Sequence, residues 1–458
     1  MKNYYHTGIL IAIMLIVSSC SEYLKENNYN NVLPKTPEDY GALIYAQLSS
    51  LETTPSSVTL ESYKRAIEKE LYADNLNASM NKGRSLKVFY VGDGAIGNMY
   101  VLMRGYKEIK DYNIVLDALN ASDSISRTLS VTARIMRAVA YYNLMRDYCD
   151  PWNANSPEKQ MGLPLVTEFN MESRPGRSSL QETAEFIIKE LQTAINDKQE
   201  NEEMYFTTDV AKAYLARTYF WSEKWEKALP ICLELLNKYP LLQGKEYTNM
   251  LENKLQRSGN ILIMSNTGYS VYTYDRDVNK LKERPLSIGF YKLFSEKEKD
   301  IRFKYIDKKL RTTKAAFTGV RGAEFALMGM ECLSHLGRID EALKMLNDFR
   351  SHRITDYSPY IVSTLPPVDH SALIKIDAEG KPLTPLMQAI LNERRKELML
   401  ENDRWYELKR NGMPEFWVTD GRTKKITRKY LYNFPFQLRD YLINCNSPQK
   451  FTQKKVLF

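Results

Sequence analysis

The stretch of sequence that decides the fold is LNERRKELMLENDRWYELKRNG, residues 391–412. Glu393, Glu397 and Glu401 recur at every fourth position, which places three carboxylates on one face of a helix. Leu398 belongs to an apolar line on the other side of that helix. The pattern predicts a helix with one strongly charged face and one buried face.

Asn402 and Asp403 interrupt this pattern. Asn tolerates the left-handed conformation that ends helices, and Asp is a favoured N-cap residue. We therefore expect a second short helix, 404–410, that ends at Asn411-Gly412.

Two interpretations of the carboxylates compete. Glu393 and Glu397 could form a general acid/base pair, or the carboxylates could form ion pairs with arginines and fix the joint between the two helices. Arg404 is placed to bind a carboxylate with its fork of N–H donors. We favour the ion pairs.

The order E-R-x-x-E-L-x-x-E-x-x-R-W-x-x-L-x-R-x-G resembles the C-terminal signature of the SusD/RagB family. Members of that family are surface lipoproteins that serve TonB-dependent nutrient import in Bacteroidetes. The position after the third Glu is usually Gly in the family and is Asn402 here, and both residues accept a positive φ. The matching residues are Glu393, Arg394, Glu397, Leu398, Glu401, Arg404, Trp405, Leu408, Arg410 and Gly412.

Other segments carry the same resemblance. Residues 133–144, ARIMRAVAYYNL, match a helix of the family, and residues 70–75 are similar to its early Leu-x-Ala-Asp element. The resemblance implies a mostly α SusD-like fold. In that fold, tetratricopeptide-like helix pairs form a scaffold beside an irregular, loop-rich part with a few short strands.

The helical periodicity agrees with helix pairs. Tetratricopeptide-like units are predicted at about 99–197, 207–240 and 321–353, too far apart for a tandem array of 34-residue repeats. The first unit contains predicted helices at 99–119 and 125–148, and Ser179 with Glu182 predicts a capping box for the next helix. Residues 261–264 predict a strand, and we expect a single domain over residues 38–458.

The N-terminus predicts the compartment. Residues 1–19 have a charged start, a short apolar run and small residues, which is typical of a signal peptide. Val17-Ser18-Ser19-Cys20 resembles a bacterial lipobox, so Cys20 is the predicted lipid attachment site. Residues 20–37 form the predicted flexible tether. We expect a lipid-anchored protein of the cell outer membrane that is exposed at the surface.

Composition excludes several classes of function. The 64 basic and 56 acidic residues are interspersed, so the net charge of +8 does not indicate a nucleic-acid surface. Three histidines outside the signal segment, His335, His352 and His370, are too scattered to predict a metal site, and no cofactor motif is present. Cys149, Cys232, Cys332 and Cys445 have no metal-binding spacing and are expected to be buried free thiols. The protein is not expected to be an enzyme.

The 31 tyrosines suit a surface for polar ligands, because sugar rings stack on aromatic faces while amides and guanidiniums bind their hydroxyls. Two loops have this composition, Asp74–Tyr100 and the segment after Gly268. Trp152 is expected to be structural. The predicted ligand-binding residues are Asp74, Asn75, Arg84, Tyr90, Asn98, Tyr100, Tyr269, Tyr272 and Tyr274.

The resemblance implies a non-catalytic lipoprotein that captures oligosaccharides and delivers them to a SusC-like TonB-dependent transporter. Two alternatives remain open from the sequence: a peptide-importing component of the RagB type, and a scaffold whose tetratricopeptide-like helices dock a partner protein without a small ligand.

Overall fold

The protein is mostly α-helical, with helix pairs and three small two-stranded sheets in the described residues, as the resemblance implies. For residues 51–53, 93–100 and 419 only the backbone is described. The structure, a computed structural model, describes residues 34–53, 57–61, 63–76, 90–119, 123–170, 172–253, 259–265, 281, 284–419 and 424–436.

Four helices open the described chain: α1 (Pro37–Thr53), α2 (Tyr63–Tyr72), α3 (Val91–Ala118) and α4 (Ser124–Tyr148). The predicted start of α3 at residue 99 was wrong, because the helix begins eight residues earlier at Val91. Its early residues include three glycines, which have low helix propensity, so the sequence pattern concealed this first part. The prediction for α4 is confirmed within one residue.

A short hairpin leads into the next helix. Strand β1 (Met161–Pro164) pairs antiparallel with β2 (Arg177–Ser179), and α5 (Leu180–Asp197) follows directly. The predicted capping box is confirmed: the Glu182 N–H donates to the Ser179 hydroxyl at 3.1 Å, and the Ser179 N–H donates to the Glu182 carboxylate at 2.7 Å.

The unit predicted at 207–240 is a helix pair, α6 (Thr208–Trp221) and α7 (Trp225–Lys238). Ala216 and Ala228 are both fully buried, which lets the two helices approach closely. Pro240 follows the end of α7.

The irregular part begins next. It contains α8 (Gly244–Glu252), β3 (Ile261–Met264), the short α9 (Ile288–Tyr291) and β4 (Gly319–Arg321). The predicted strand at 261–264 is confirmed, and it pairs antiparallel with β4.

A second helix pair follows, α10 (Gly322–His335) and α11 (Ile339–Ser351). Gly337 adopts φ +72° in the turn between them, a conformation that glycine reaches without a Cβ penalty. The order of packing is α3 on α4, α4 on α5, α5 on α6, α6 on α7, α7 on α10, and α10 on α11. Successive helices therefore stack into one scaffold, although its units are not consecutive in sequence.

The C-terminal part holds the opening motif. Helices α12 (Pro385–Glu397) and α13 (Arg404–Arg410) are followed by an antiparallel hairpin of β5 (Phe416–Thr419) and β6 (Lys424–Thr427). Helix α12 packs against α10 and α11, and α13 packs against α2. The motif therefore joins the helical scaffold to the rest of the chain.

Three of the cysteines, Cys149, Cys232 and Cys332, are buried free thiols as expected, while Cys20 and Cys445 lie outside the described residues. Trp152 is partly buried and packs against the main core. In the described part of the chain, no helix is both long and apolar enough to span a bilayer.

We expect Ser179→Ala to lower the free energy of unfolding by about 1 kcal/mol, because it leaves a backbone N–H of the first turn of α5 without its acceptor. Urea denaturation measures the change. Thr193→Ala is the matched control: its hydroxyl donates only to the Lys189 carbonyl of the same helix, so its removal should leave the midpoint within error. Equal destabilisation by both variants would contradict the capping role.

Candidate ligand-binding surface

Helix α12 ends at Glu397, and the chain then turns through Leu400 and Asn402, with φ values of +63° and +60°. The positive φ predicted for Asn402 is therefore present. The prediction that Glu401 lies on the same helix was wrong, because the helix ends one turn earlier. The turn nevertheless brings Glu401 back beside the arginine that binds Glu397.

Glu397 is the centre of a buried ion-pair network and has no exposed side-chain surface. Arg353 binds it through two N–H···O bonds, Nε to Oε2 and Nη2 to Oε1, each 2.9 Å long. Arg321 Nη1 donates to Oε1 at 2.8 Å, and Arg302 Nη1 approaches Oε2 at 3.4 Å. Such forked, charge-assisted bonds fix orientation as well as charge.

The neighbouring carboxylates are equally engaged. Glu393 accepts from Arg302 Nη2 at 2.7 Å and is also bound by Arg350 and Lys396. Glu401 accepts both Nε and Nη2 of Arg321, at 2.8 and 2.9 Å. Most of these cations come from residues 302–353, so the motif binds the irregular part and α11.

This arrangement decides between the two interpretations of the carboxylates. Burial acts to raise the pKa of Glu397, but Arg353 and Arg321 outweigh burial and hold that pKa well below its ordinary value. Burial is likewise outweighed at Glu393, whose pKa is lowered by Lys396, Arg302 and Arg350. A general acid needs a pKa near the working pH, so these two residues are unsuited to acid/base catalysis.

Asp403 lies at the N-cap position of α13, but the prediction that its side chain caps the helix was wrong. Its carboxylate accepts instead from Arg394 Nε at 3.0 Å and Nη2 at 2.5 Å. A charged donor binds a carboxylate more strongly than a backbone N–H does, so the ion pair replaces the cap.

Two residues predicted to contact ligand, Asp74 and Asn75, belong to this interior network. Arg404 donates to the Asp74 carboxylate through Nε at 2.7 Å and Nη2 at 3.0 Å, and Arg395 Nη2 donates a third hydrogen bond at 2.9 Å. Burial acts to raise the pKa of Asp74, but Arg395 and Arg404 lower it to about 2. Asn75 is fully buried between Glu70 and Arg395. The structure therefore places Asn75 in the interior, whereas Asp74 is partly buried and its carboxylate is held by the two arginines.

Most other predicted contacts cannot be placed. Arg84, Tyr269, Tyr272 and Tyr274 lie outside the described residues. Asn98 and Tyr100 belong to α3, so they are helical and not part of a loop, and their side chains are not described.

Tyr90 is the predicted residue that the structure does place at a surface. It is half-buried at the N-cap position of α3 and lies within the first predicted ligand segment, Asp74–Tyr100. Its hydroxyl donates to the Ile426 carbonyl at 2.9 Å, and Lys425 Nζ lies 5.1 Å from its ring centroid. The chain at the start of α3 is thus attached to the β5–β6 hairpin.

The same hairpin presents Trp417, which is 54% exposed. Trp417 pairs with Ile426 across the hairpin, and its neighbour Val418 is 4% exposed, so the alternation of the strand turns the indole outward. Lys424 Nζ lies 4.2 Å above the indole centroid. A large exposed aromatic ring beside a flexible donor suits a polar ligand that has apolar faces.

Trp405 of the motif helps to position this hairpin. It is 1% exposed and stacks on Tyr432, with ring centroids 4.5 Å apart. The Tyr432 hydroxyl donates at 2.8 Å to the carbonyl of Pro414, just before β5. We define the hairpin surface as Tyr90, Trp417, Lys424 and Lys425.

Trp417 is not among the ligand contacts predicted from sequence, because those contacts follow the tyrosine and amide content of two other segments. The available signal was local: Phe416-Trp417-Val418 followed by Lys424-Lys425 is an aromatic strand facing a basic one.

We expect Glu397→Gln to lower the free energy of unfolding by about 3–5 kcal/mol, because the buried guanidiniums lose their shared countercharge. The folded-state pKa of Glu397 lies below its unfolded value of about 4.3, so its contribution is complete above about pH 5 and is lost as pH falls. The variant should therefore lose less stability than the wild type between pH 6 and pH 3, as measured by urea titrations.

Glu252→Gln is the matched control. Its ion pair with Lys304, 2.9 Å long, leaves both side chains about half exposed, so its loss should cost less than about 1 kcal/mol. Similar costs for the two variants, or an unchanged acid response in Glu397→Gln, would refute the role of Glu397.

Comparisons with known proteins agree with this architecture. A family model described as "SusD-like_3: Starch-binding associating with outer membrane" matches residues 22–220, and a model described as "SusD family" matches residues 298–454. A search of curated protein sequences gives no match.

Solved structures share the fold. A SusD superfamily protein from Bacteroides thetaiotaomicron matches with a TM-score of 0.68 at 18% identity over 91% of this chain and 99% of its own. A SusD-like carbohydrate binding protein from Bacteroides vulgatus matches with a TM-score of 0.68 at 16% identity, over 92% of this chain and 100% of its own. A SusD superfamily protein from Bacteroides fragilis matches with a TM-score of 0.69 at 18% identity, over 91% of this chain and 99% of its own. The two family models together span more than half of the chain, which therefore belongs to the SusD family.

Proposed function

We propose that this protein is a non-catalytic, cell-surface glycan-binding lipoprotein that captures oligosaccharides and delivers them to a SusC-like TonB-dependent outer-membrane transporter. The observation that carries the proposal is Trp417, an exposed indole on a hairpin anchored to Tyr90 and rimmed by Lys424 and Lys425.

The chemistry of this surface suits a sugar. The C–H face of a pyranose ring stacks on an indole, and burying both apolar faces is favourable without any charge on the ligand. The ammonium groups of Lys424 and Lys425 can donate to ring hydroxyls. In addition, Tyr90 connects the hairpin to the chain that precedes α3, where the sequence predicts further contacts.

Two further observations support binding without turnover at the cell surface. The carboxylates of the motif, Glu393, Glu397 and Glu401, all form ion pairs with cations. This cluster therefore provides no acid/base pair. The lipobox-like sequence before Cys20 supports a lipid anchor, which would keep the protein beside an outer-membrane transporter.

The test is binding of the purified chain to a glycan panel that includes maltoheptaose, xylohexaose and a mannan oligosaccharide, with an oligopeptide mixture as the alternative ligand. We expect at least one glycan to bind and Trp417→Ala to weaken it about tenfold, equivalent to 1.4 kcal/mol. Isothermal titration calorimetry measures both affinities.

Phe169→Ala is the matched control, because Phe169 is 45% exposed on a different segment and should leave glycan affinity unchanged. Binding of peptides but not glycans would favour the RagB-type alternative. If neither glycans nor peptides bind and an outer-membrane barrel co-purifies with the chain, the docking scaffold would be favoured. Release of shortened glycan products would overturn the non-catalytic assignment.

A further inference from the structure

The hairpin surface lies in a positively charged part of the chain, and this charge bears on the kind of glycan that it can hold. Residues 415–430 contain five basic and two acidic side chains. We propose that the hairpin surface selects an acidic oligosaccharide, one whose sugar rings carry carboxylate or sulfate groups. This ligand class rests on the proposed function.

The position of Lys424 carries the proposal. Trp417 pairs with Ile426 across the hairpin, and Lys424 lies two residues before Ile426 on β6. Because alternate residues of a strand share a face, Lys424 lies on the same face as Trp417. Its side chain is exposed, and its Nζ lies 4.2 Å from the indole centroid. A sugar ring that stacks on the exposed indole therefore meets an ammonium group.

This ammonium group is not neutralised by a carboxylate of the described chain, where Lys424 forms no ion pair. Glu415, just before β5, is already engaged. Its carboxylate accepts from Arg428 Nη1 at 2.9 Å and from the Lys429 backbone N–H at 3.3 Å. The Lys429 side chain is exposed as well. The charge of Lys424 is therefore available to a ligand.

An acidic sugar gains more from this ammonium group than a neutral sugar does. At an exposed site, the contact between an ammonium and an indole is weak. A neutral ring that displaces the ammonium offers it only hydroxyl oxygens. A carboxylate or sulfate offers a charge-assisted hydrogen bond, which is about twice as strong as a neutral one. The flexible stem of lysine lets Nζ move from the indole to the edge of a stacked ring.

The sequence next to the hairpin surface supplies no excess of acidic residues. The Tyr90 hydroxyl bonds to the Ile426 carbonyl, and residues 77–89, which precede Tyr90, contain three basic residues and no acidic one. Residues 420–423, between β5 and β6, contain one of each. Neither segment is assigned to the site, because both lie outside the described residues. Their composition nevertheless favours an anionic ligand over a neutral or cationic one.

The test compares acidic oligosaccharides with neutral ligands that have the same sugar rings. Tetragalacturonate is paired with its methyl ester, and a carrageenan tetrasaccharide is paired with its desulfated form. Isothermal titration calorimetry on the purified chain measures the four affinities. We expect at least one acid to bind about fivefold more tightly than its neutral counterpart, and this preference to shrink between about 50 and about 300 mM sodium chloride. Preference in one pair alone identifies carboxylate or sulfate as the recognised group.

Lys424→Glu should abolish the preference for the acidic ligand, because the substitution places a like charge beside the indole. Lys344→Glu is the matched control. It makes the same change in net charge at an exposed position of α11, so the preference should persist. Thermal unfolding checks that both variants fold.

Three results would overturn the acidic ligand class: equal affinity within both pairs, an unchanged preference in Lys424→Glu, or an equal loss of preference in Lys344→Glu. If neutral glycans still bind and Trp417→Ala weakens them, the proposed function stands without this ligand class. Absence of binding by every glycan, acidic or neutral, would refute the proposed function itself.

Discussion

The structure depends on one buried carboxylate, Glu397, and the three guanidiniums of Arg302, Arg321 and Arg353 that surround it. Removing so many charges from water is costly, and the cost is offset only when every charge has well-aligned partners. The geometry tolerates few alternatives, so the network specifies how the last two helices of the motif meet the irregular part.

The proposed binding surface is attached to this motif. Trp405 stacks on Tyr432, which bonds to the chain just before the hairpin of Trp417. A family signature without a ligand contact of its own can thus be essential for binding, because it fixes the elements that carry the contacts.

The sequence predicted local structure where the cause is local. The capping box at Ser179, the helix pair after Thr207 and the positive φ of Asn402 follow from side chains and propensities within a few residues. One local prediction failed because a side chain from another helix competes: Asp403 binds Arg394 of α12 instead of capping α13. Nor do local patterns reveal that Asp74 binds arginines that lie more than 300 residues away in the chain.

By itself, the sequence therefore determined the family, the helical scaffold and the ion-pairing character of the motif. These features depend on the periodicity of apolar residues and the spacing of charged residues, which are properties of the local sequence. Only the tertiary structure decided which cations meet Glu397, that arginines hold the Asp74 carboxylate, and that Trp417 is exposed near Tyr90. The physical reason is that burial and ion pairing depend on segments that are distant in sequence, and their positions follow from packing of the whole chain.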